Sequence, residues 1–124
     1  MNTNQFTNDY NAGRNGANFF VRHPLVRQFH YSDGVQDCAE SGCRWLLDVI
    51  ATECLKPLRQ SGEYMGIIEV TVSDESAVIS MTVADDKPPV WTREIAYTDM
   101  PAGTWKFFLA DETERFALIL PTEY

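Results

Sequence analysis

The sequence is poor in the residues and patterns that most metal and nucleotide sites need. It has two histidines, His23 and His30, and three cysteines, and no pair among them has the spacing of zinc ligands. The alternating carboxylates of a calcium loop and the glycine-rich turn of a phosphate site are both absent. We therefore expect no metal site, no nucleotide site and no cofactor.

Two further absences bear on location. The three cysteines cannot all pair with one another, and the sequence contains no C-x-x-C motif. No segment approaches the roughly 20 consecutive apolar residues of a membrane span, and the Asn-rich start has no apolar stretch typical of a signal peptide. These features predict a reducing, cytoplasmic location without membrane insertion.

Basic residues are scarce as well. The 124 residues include 10 Lys and Arg against 18 Asp and Glu, which gives a formal net charge of -8. The acidic excess lies entirely in residues 31–124, because residues 1–30 carry more Arg than Asp. Such a field repels nucleic-acid phosphates and suits either plain solubility or a basic protein partner. Direct binding to nucleic acid is not expected.

Composition divides the chain into an arm and one domain. Residues 1–18 contain six Asn and few apolar residues, so they cannot bury enough surface to offset the entropy of ordering. They are predicted to be a flexible, disordered Asn-rich arm, and residues 19–124 a single domain. Within that domain Pro24 disfavours helix at His23, which predicts an extended lead-in or a short helix after the proline.

One long helix is predicted over residues 34–56. Asp33 is its expected N-cap, and Gln36 completes a pattern similar to a capping box. The apolar residues of this segment fall on one half of a helical wheel, and Pro57 is expected to end the helix. A break at Gly42 is the alternative, because glycine is unfavourable inside a helix.

The remaining residues have the pattern of β-strands. Runs of β-branched and aromatic residues at strand length are separated by polar turn signals. The predicted strands are residues 66–73, 77–84, 90–97, 105–110 and 116–120. The predicted fold class is therefore α+β, with one long helix packed on a meandering antiparallel sheet of about five strands.

A meander places alternate hairpin loops at the same end of the sheet. Five carboxylates would share one end, and we call this set the acidic rim: Asp85, Asp86, Asp111, Glu112 and Glu114. A docking surface for a basic partner competes here with the simpler explanation that charges keep strand ends soluble. Trp91, at the start of the third predicted strand, is a candidate contact residue, although packing in the core explains it as well.

The cysteines offer one candidate for catalysis. Cys43, near a helix start and followed by Trp45, is locally similar to the papain-type arrangement. Papain-type enzymes take their histidine from far downstream of the cysteine, whereas His23 and His30 both lie upstream. A cysteine in the middle of a long helix also gains nothing from the helix dipole. A small core residue is therefore favoured, and an enzyme that uses Cys43 or Cys38 with His30 is the alternative.

Three sequence blocks resemble a known pattern. They are "YSDGVQDCAESGCRWLLDVIA" (31–51), "EIAYTDMP" (94–101) and "LPTEY" (120–124). Together they are similar to "Y-T-D-G … W-L-L-D-x-I … I-x-Y-T-D-F-P … L-P-S-E-Y", a pattern of small uncharacterised bacterial domains that phages, plasmids and other mobile elements often carry. The likeness spans Tyr31 to Tyr124, departs at Met100 and Thr122, and leaves the Asn-rich arm outside.

The resemblance implies a context and no catalytic residue. A small acidic protein on a mobile element suggests a counter-defence inhibitor, such as an anti-CRISPR protein. Carboxylates on a rigid sheet can compete with phosphates for surfaces lined by Lys and Arg. We therefore expect a non-enzymatic inhibitor in a bacterial host, whose acidic rim binds a basic, nucleic-acid-binding protein or complex. The alternatives are the cysteine enzyme and a self-associating accessory protein, for instance a homodimer.

Overall fold

The chain folds around one mixed β-sheet. A computed structural model describes residues 20–84 and 86–123, so the predicted arm, residues 1–18, lies outside the described residues. Within these described residues the sheet has seven strands in the order β1-β2-β7-β6-β3-β4-β5, and all neighbours are antiparallel except β2 and β7. The strands are β1 Phe20–Arg22, β2 Phe29–Ser32, β3 Met65–Ser73, β4 Ser76–Thr82, β5 Trp91–Ile95, β6 Gly103–Asp111 and β7 Phe116–Ile119.

The helical part is broken into short elements, so the prediction of one long helix is wrong. Its elements are α1 Asp33–Cys38, a π-helical turn Ala39–Cys43, α2 Arg44–Glu53 and α3 Leu55–Ser61, and a 3-10 turn Pro121–Glu123 follows β7. The backbone leaves helical geometry at Gly42, where φ is 124° and ψ is 3°. Residues with a Cβ rarely adopt this conformation, so glycine permits the break that separates α1 from α2.

The helix ends also differ from the prediction. Ser32, one residue before Asp33, is the N-cap of α1, and its hydroxyl accepts a 3.2 Å hydrogen bond from the Val35 N–H. Pro57 does not end a helix, because it lies in the first turn of α3, where a backbone N–H has no intrahelical partner. The end of α3 is marked instead by Gly62 in a left-handed conformation, with φ of 83°.

The meander is wrong in its strand order, although a strand is present at each of the five predicted segments. β6 pairs with β3 rather than with β5, because the connection after β5 crosses the end of the sheet. The Thr98 N–H anchors this crossover by donating to the Glu75 carbonyl at 2.7 Å. β1 and β2, with three and four residues, were not predicted as strands, and β2 adds the parallel pair with β7.

The helices cover one face of the sheet. Alternate side chains of β3, β4 and β6 are buried beneath them, as the two-residue period of a strand requires. Ile68, Met81 and Phe107 are among the largest of these buried side chains. β7 is buried along its whole length between β2 and β6. On the opposite face Ala117 and Ile119 form a smaller apolar cluster with neighbouring aromatic rings.

A buried carboxylate joins the start of the helical layer to the 3-10 turn. Glu123, only 4% exposed, accepts a 2.5 Å hydrogen bond from the Ser32 hydroxyl and a 2.9 Å bond from the Leu120 N–H. Gly34 packs directly against the Glu123 carboxylate and the Leu120 side chain, which leaves no room for a Cβ. The first and last blocks of the sequence pattern are therefore in contact.

Candidate functional site

The described residues of the acidic rim lie at one end of the sheet. β4 and β6 run in the same direction, so the loops that follow them lie at the same end of the sheet. Asp86 and Glu114 are exposed there, Asp111 and Glu112 are partly buried, and Asp85 lies outside the described residues.

Two of the rim carboxylates have cationic partners. The Arg59 guanidinium donates two hydrogen bonds, of 3.0 and 2.8 Å, to the Asp111 carboxylate, and it holds the pKa of Asp111 below its usual range. Arg115 donates a 2.9 Å bond to Glu112. Both cations reduce the negative field that this end presents to a partner.

Trp91 lies at the start of β5, opposite Met81 of β4. Its ring is partly buried and packs against the core beneath the helices. Two strand positions further on, Arg93 faces the same side and pairs with Glu53 of α2. The structure thus places Trp91 beside the core, and its proposed role in partner contact stays a prediction.

A second group of carboxylates lies at the opposite end of the sheet, and we call it the acidic tip: Asp74, Glu75, Glu94 and Asp99. Asp74 and Glu75 form the turn between β3 and β4, and the Thr98 hydrogen bond to Glu75 brings the chain after β5 alongside that turn. All four carboxylates are exposed. No Lys or Arg occurs in residues 71–78 or 94–104, the described segments that form this end.

The acidic tip also exposes apolar surface. The Tyr97 side chain is 63% exposed, and its hydroxyl donates a 2.8 Å hydrogen bond to the Asp99 carboxylate. This hydrogen bond, together with the negative charge of Asp99, raises the pKa of Tyr97. Val78 is 50% exposed and lies beside Glu94 on the strand pair β4–β5. Exposed aromatic rings such as that of Tyr97 are enriched in protein-binding surfaces.

The cysteines that were considered for catalysis are in contact with each other. The Sγ atoms of Cys38 and Cys43 lie 2.8 Å apart in a hydrogen bond across the π-helical turn. That bond lowers the pKa of Cys38 to about 7 and raises the pKa of Cys43. Cys54 is fully buried further along the core, where desolvation raises its pKa to about 12.

The structure does not bring His30 to this thiol pair. His30 alternates along β2 with Phe29 and Tyr31, which point into the core under the helices, so His30 lies on the opposite face of the sheet from Cys43. His23 is on the helix side, but both of its ring nitrogens are engaged. Its Nδ1 accepts from two backbone N–H groups, and its Nε2 bonds to Asp48 at 2.8 Å.

Comparison with known proteins supplies the family. The model of a "Family of unknown function (DUF6876)" matches residues 6–124. The chain belongs to DUF6876. This confirms the expectation of an uncharacterised domain family, and the match to DUF6876 begins well before Tyr31, where the three-block resemblance started. No curated protein and no solved structure matches the DUF6876 chain.

Neither a metal-binding cluster nor a membrane-spanning helix is found in the described part of this DUF6876 chain. Among the described residues, no group of three or more His, Cys, Asp or Glu side chains is arranged to hold a metal ion. Within the same part of the chain, no helix combines the length and the apolar character that crossing a membrane requires.

Sequence reasoning missed the acidic tip and the cysteine contact in this DUF6876 chain. The absence of Lys and Arg around Asp74 and Asp99 is visible in the sequence, but the rim has the longer acidic runs and therefore the stronger sequence signal. The cysteine contact had no signal of its own, because residues five apart do not meet on a regular α-helix. Only the irregular turn at Gly42 brings them together.

Proposed function

We propose that this chain is a non-enzymatic, protein-binding inhibitor that contacts a basic, nucleic-acid-binding partner through exposed carboxylates. The observation that carries the proposal is the acidic tip, where four exposed carboxylates and the exposed Tyr97 ring share one end of the sheet. No cationic side chain from the described segments around them offsets their charge.

The physical argument concerns charge complementarity. A surface that binds nucleic acid is lined by Lys and Arg, and its field attracts negative groups over about 8 Å at physiological ionic strength. Carboxylates fixed on the β3–β4 turn, on β5 and on the segment after β5 cost little entropy to align, so they can occupy such a surface in place of phosphates. Tyr97 supplies the apolar contact that a purely electrostatic encounter lacks.

The acidic tip suits this role better than the acidic rim. Arg59 and Arg115 already pair with two of the rim carboxylates, and Lys87 follows Asp86 in sequence. We propose in addition that the partner is a host defence complex and that the protein acts on behalf of a phage or another mobile element. This finer proposal is based on the resemblance of the three sequence blocks alone.

Charge reversal at each end tests the proposal. The tip variant carries Glu75→Lys and Glu94→Lys, and the matched rim variant carries Asp86→Lys and Glu114→Lys, so both change the net charge equally. Tagged proteins are expressed in a bacterial host with an active CRISPR or restriction system, captured at low salt after nuclease treatment, and eluted with a salt gradient. The recovered complex is then tested for binding to labelled DNA with and without added protein.

We expect the unmodified protein to recover a nucleic-acid-binding complex and to displace DNA from it. The tip variant should recover at least about tenfold less, because two attractive charges become repulsive. The rim variant should lose much less. The opposite ranking would transfer the binding surface to the acidic rim, and equal recovery by all three proteins would refute binding through carboxylates.

A second candidate is self-association, which the open edge of the sheet favours. β5 has β4 on one side and no described strand on the other, so its outer backbone groups are available for pairing. Two copies joined at β5 would form one continuous sheet. Sedimentation over a hundredfold range of concentration distinguishes the candidates, since a constant monomeric mass contradicts self-association.

A further inference from the structure

We propose that Cys38 and Cys43 form a reversible intramolecular disulfide on exposure to a peroxide, which makes the turn at Gly42 a site of thiol modification. The proposal is independent of the partner-binding function. It starts from the 2.8 Å contact between the two Sγ atoms.

The contact depends on the irregular backbone between the two cysteines. At about 100° per residue, side chains five apart on an α-helix point about 140° away from each other. The π-helical turn Ala39–Cys43 is wider than an α-helical turn, and Gly42 with φ of 124° redirects the chain at its end. Both deviations together bring Cys43 back to the side of Cys38.

The two thiols differ in the way that an attacking and a resolving cysteine differ. Cys38 is partly exposed, so a small oxidant can reach it, whereas Cys43 is only 2% exposed. The hydrogen bond from Cys43 stabilises the Cys38 thiolate and lowers the pKa of Cys38 to about 7, so a large share of Cys38 is nucleophilic at neutral pH. Cys43 is then already within reach of the oxidised sulfur.

The reaction needs a peroxide as oxidant and proceeds in two steps. In the first, the Cys38 thiolate attacks one peroxide oxygen, the O–O bond breaks, and Cys38 becomes a sulfenic acid while hydrogen peroxide yields one water after protonation. In the second, Cys43 sulfur attacks the Cys38 sulfur, the S–O bond breaks, and the hydroxide leaves as water with the Cys43 proton. Two thiols and one hydrogen peroxide give one disulfide and two waters. A dithiol reductant restores the thiols by exchange.

The disulfide would fix the kink between α1 and α2. α1 is already tied to the 3-10 turn through Ser32 and Glu123, so oxidation would join α2 covalently to that anchored segment. In the reduced protein noncovalent contacts hold the turn, among them the thiol hydrogen bond and a 2.9 Å bond from Gln36 to Glu40.

Peptide mapping of the unmodified protein tests the proposal directly. Trypsin releases residues 28–44 as one peptide that contains both Cys38 and Cys43, whereas Cys54 falls in residues 45–59. The folded protein is treated with one equivalent of hydrogen peroxide and alkylated with N-ethylmaleimide in denaturant. It is then digested without reductant, and the peptide masses are measured by mass spectrometry. We expect peptide 28–44 to lack both alkyl groups and two hydrogens, peptide 45–59 to carry one alkyl group, and dithiothreitol before alkylation to restore labelling of all three cysteines.

Variants assign the order of the two steps. Cys43→Ala removes the resolving thiol, so Cys38 should accumulate as a sulfenic acid that dimedone traps. Cys54→Ala is the matched control, and its peptide 28–44 should oxidise at the rate of the unmodified protein. Full alkylation of peptide 28–44 after peroxide, or a disulfide that includes Cys54, would overturn the proposal, and neither result depends on a variant that folds.

Discussion

Glu123 is a carboxylate enclosed by groups from distant parts of the sequence. The Ser32 hydroxyl and the Leu120 N–H donate to the same carboxylate oxygen, and the space beside Gly34 is filled by the acid group. The sequence block that contains Glu123 was recognised as a pattern, but its contact with Ser32, 91 positions away, was not predictable from local spacing. A sequence pattern thus identifies the block that contains Glu123, but it does not reveal which distant residue contacts Glu123 in the folded protein.

Replacing Glu123 by alanine should destabilise the fold by about 2 to 3 kcal/mol, because the buried Ser32 hydroxyl and the partly buried Leu120 N–H lose their acceptor. Urea unfolding followed by tryptophan fluorescence measures the change. Glu114→Ala is the control, since Glu114 is exposed and its loss should change the free energy of unfolding by no more than about 0.5 kcal/mol. Equal effects of both substitutions would show that the buried hydrogen bonds contribute little.

Asp111 gives a pH-dependent prediction. Arg59 lowers the pKa of Asp111 in the folded protein below the ordinary value of 3.8, so the charged carboxylate stabilises the folded state. This contribution is complete above pH 3.8, and it is lost as the pH falls through the lower folded value. Asp111→Asn should therefore be less stable than the unmodified protein at pH 7, and the difference should shrink at the lowest pH in urea titrations. Asp86→Asn makes the same change at an exposed position and is the control, and an equal effect of both substitutions would show that the Arg59 pair is not the cause.

Short elements separate what local patterns can predict from what they cannot. The alternation of β3 and β4 is strong enough to place both strands, whereas the apolar face of residues 34–56 predicts one helix where the structure has several short ones. The helix break could not be predicted in this way. Glycine lowers helix stability, but that cost alone does not determine whether the helix breaks at Gly42 or continues through it. β1 has three residues, too few for a periodic pattern to be distinguished from a loop.

Gly42→Ala tests the break as a structural element. An added Cβ at φ of 124° is strained, so we expect a loss of about 1 to 3 kcal/mol in the free energy of unfolding. The strain also favours a continuous helix, which would separate Cys38 from Cys43 and slow disulfide formation with peroxide. Gly62→Ala is the control, since Gly62 also has positive φ but lies at the far end of α3. It should lose stability while the cysteine pair oxidises normally.

At the scale of the whole molecule, the error in strand order came from assuming that consecutive strands are neighbours. Consecutive strands are neighbours in most antiparallel sheets, and that rule places β3, β4 and β5 correctly. It fails at β6, whose partner β3 is far away in sequence. The loops alternate between the two ends of the sheet, so the described rim residues lie at one end and Asp74 and Asp99 at the other. The partners Arg59 and Arg115, which distinguish the two ends, required the folded structure.

The strand order predicts how stability is distributed over the sheet. β3 is the central strand of the longest ladders, with eight residue pairs to β6 and seven to β4, and the helices cover one of its faces. Its amides should therefore exchange with solvent only when the whole molecule unfolds, whereas β1, with three pairs at one edge, can open alone. Hydrogen exchange measured by mass spectrometry should show protection in β3 at least about a thousandfold above that in β1. A meander in the predicted order would instead place β3 at an edge, so rapid exchange in β3 beside slow exchange in β5 would contradict the observed topology.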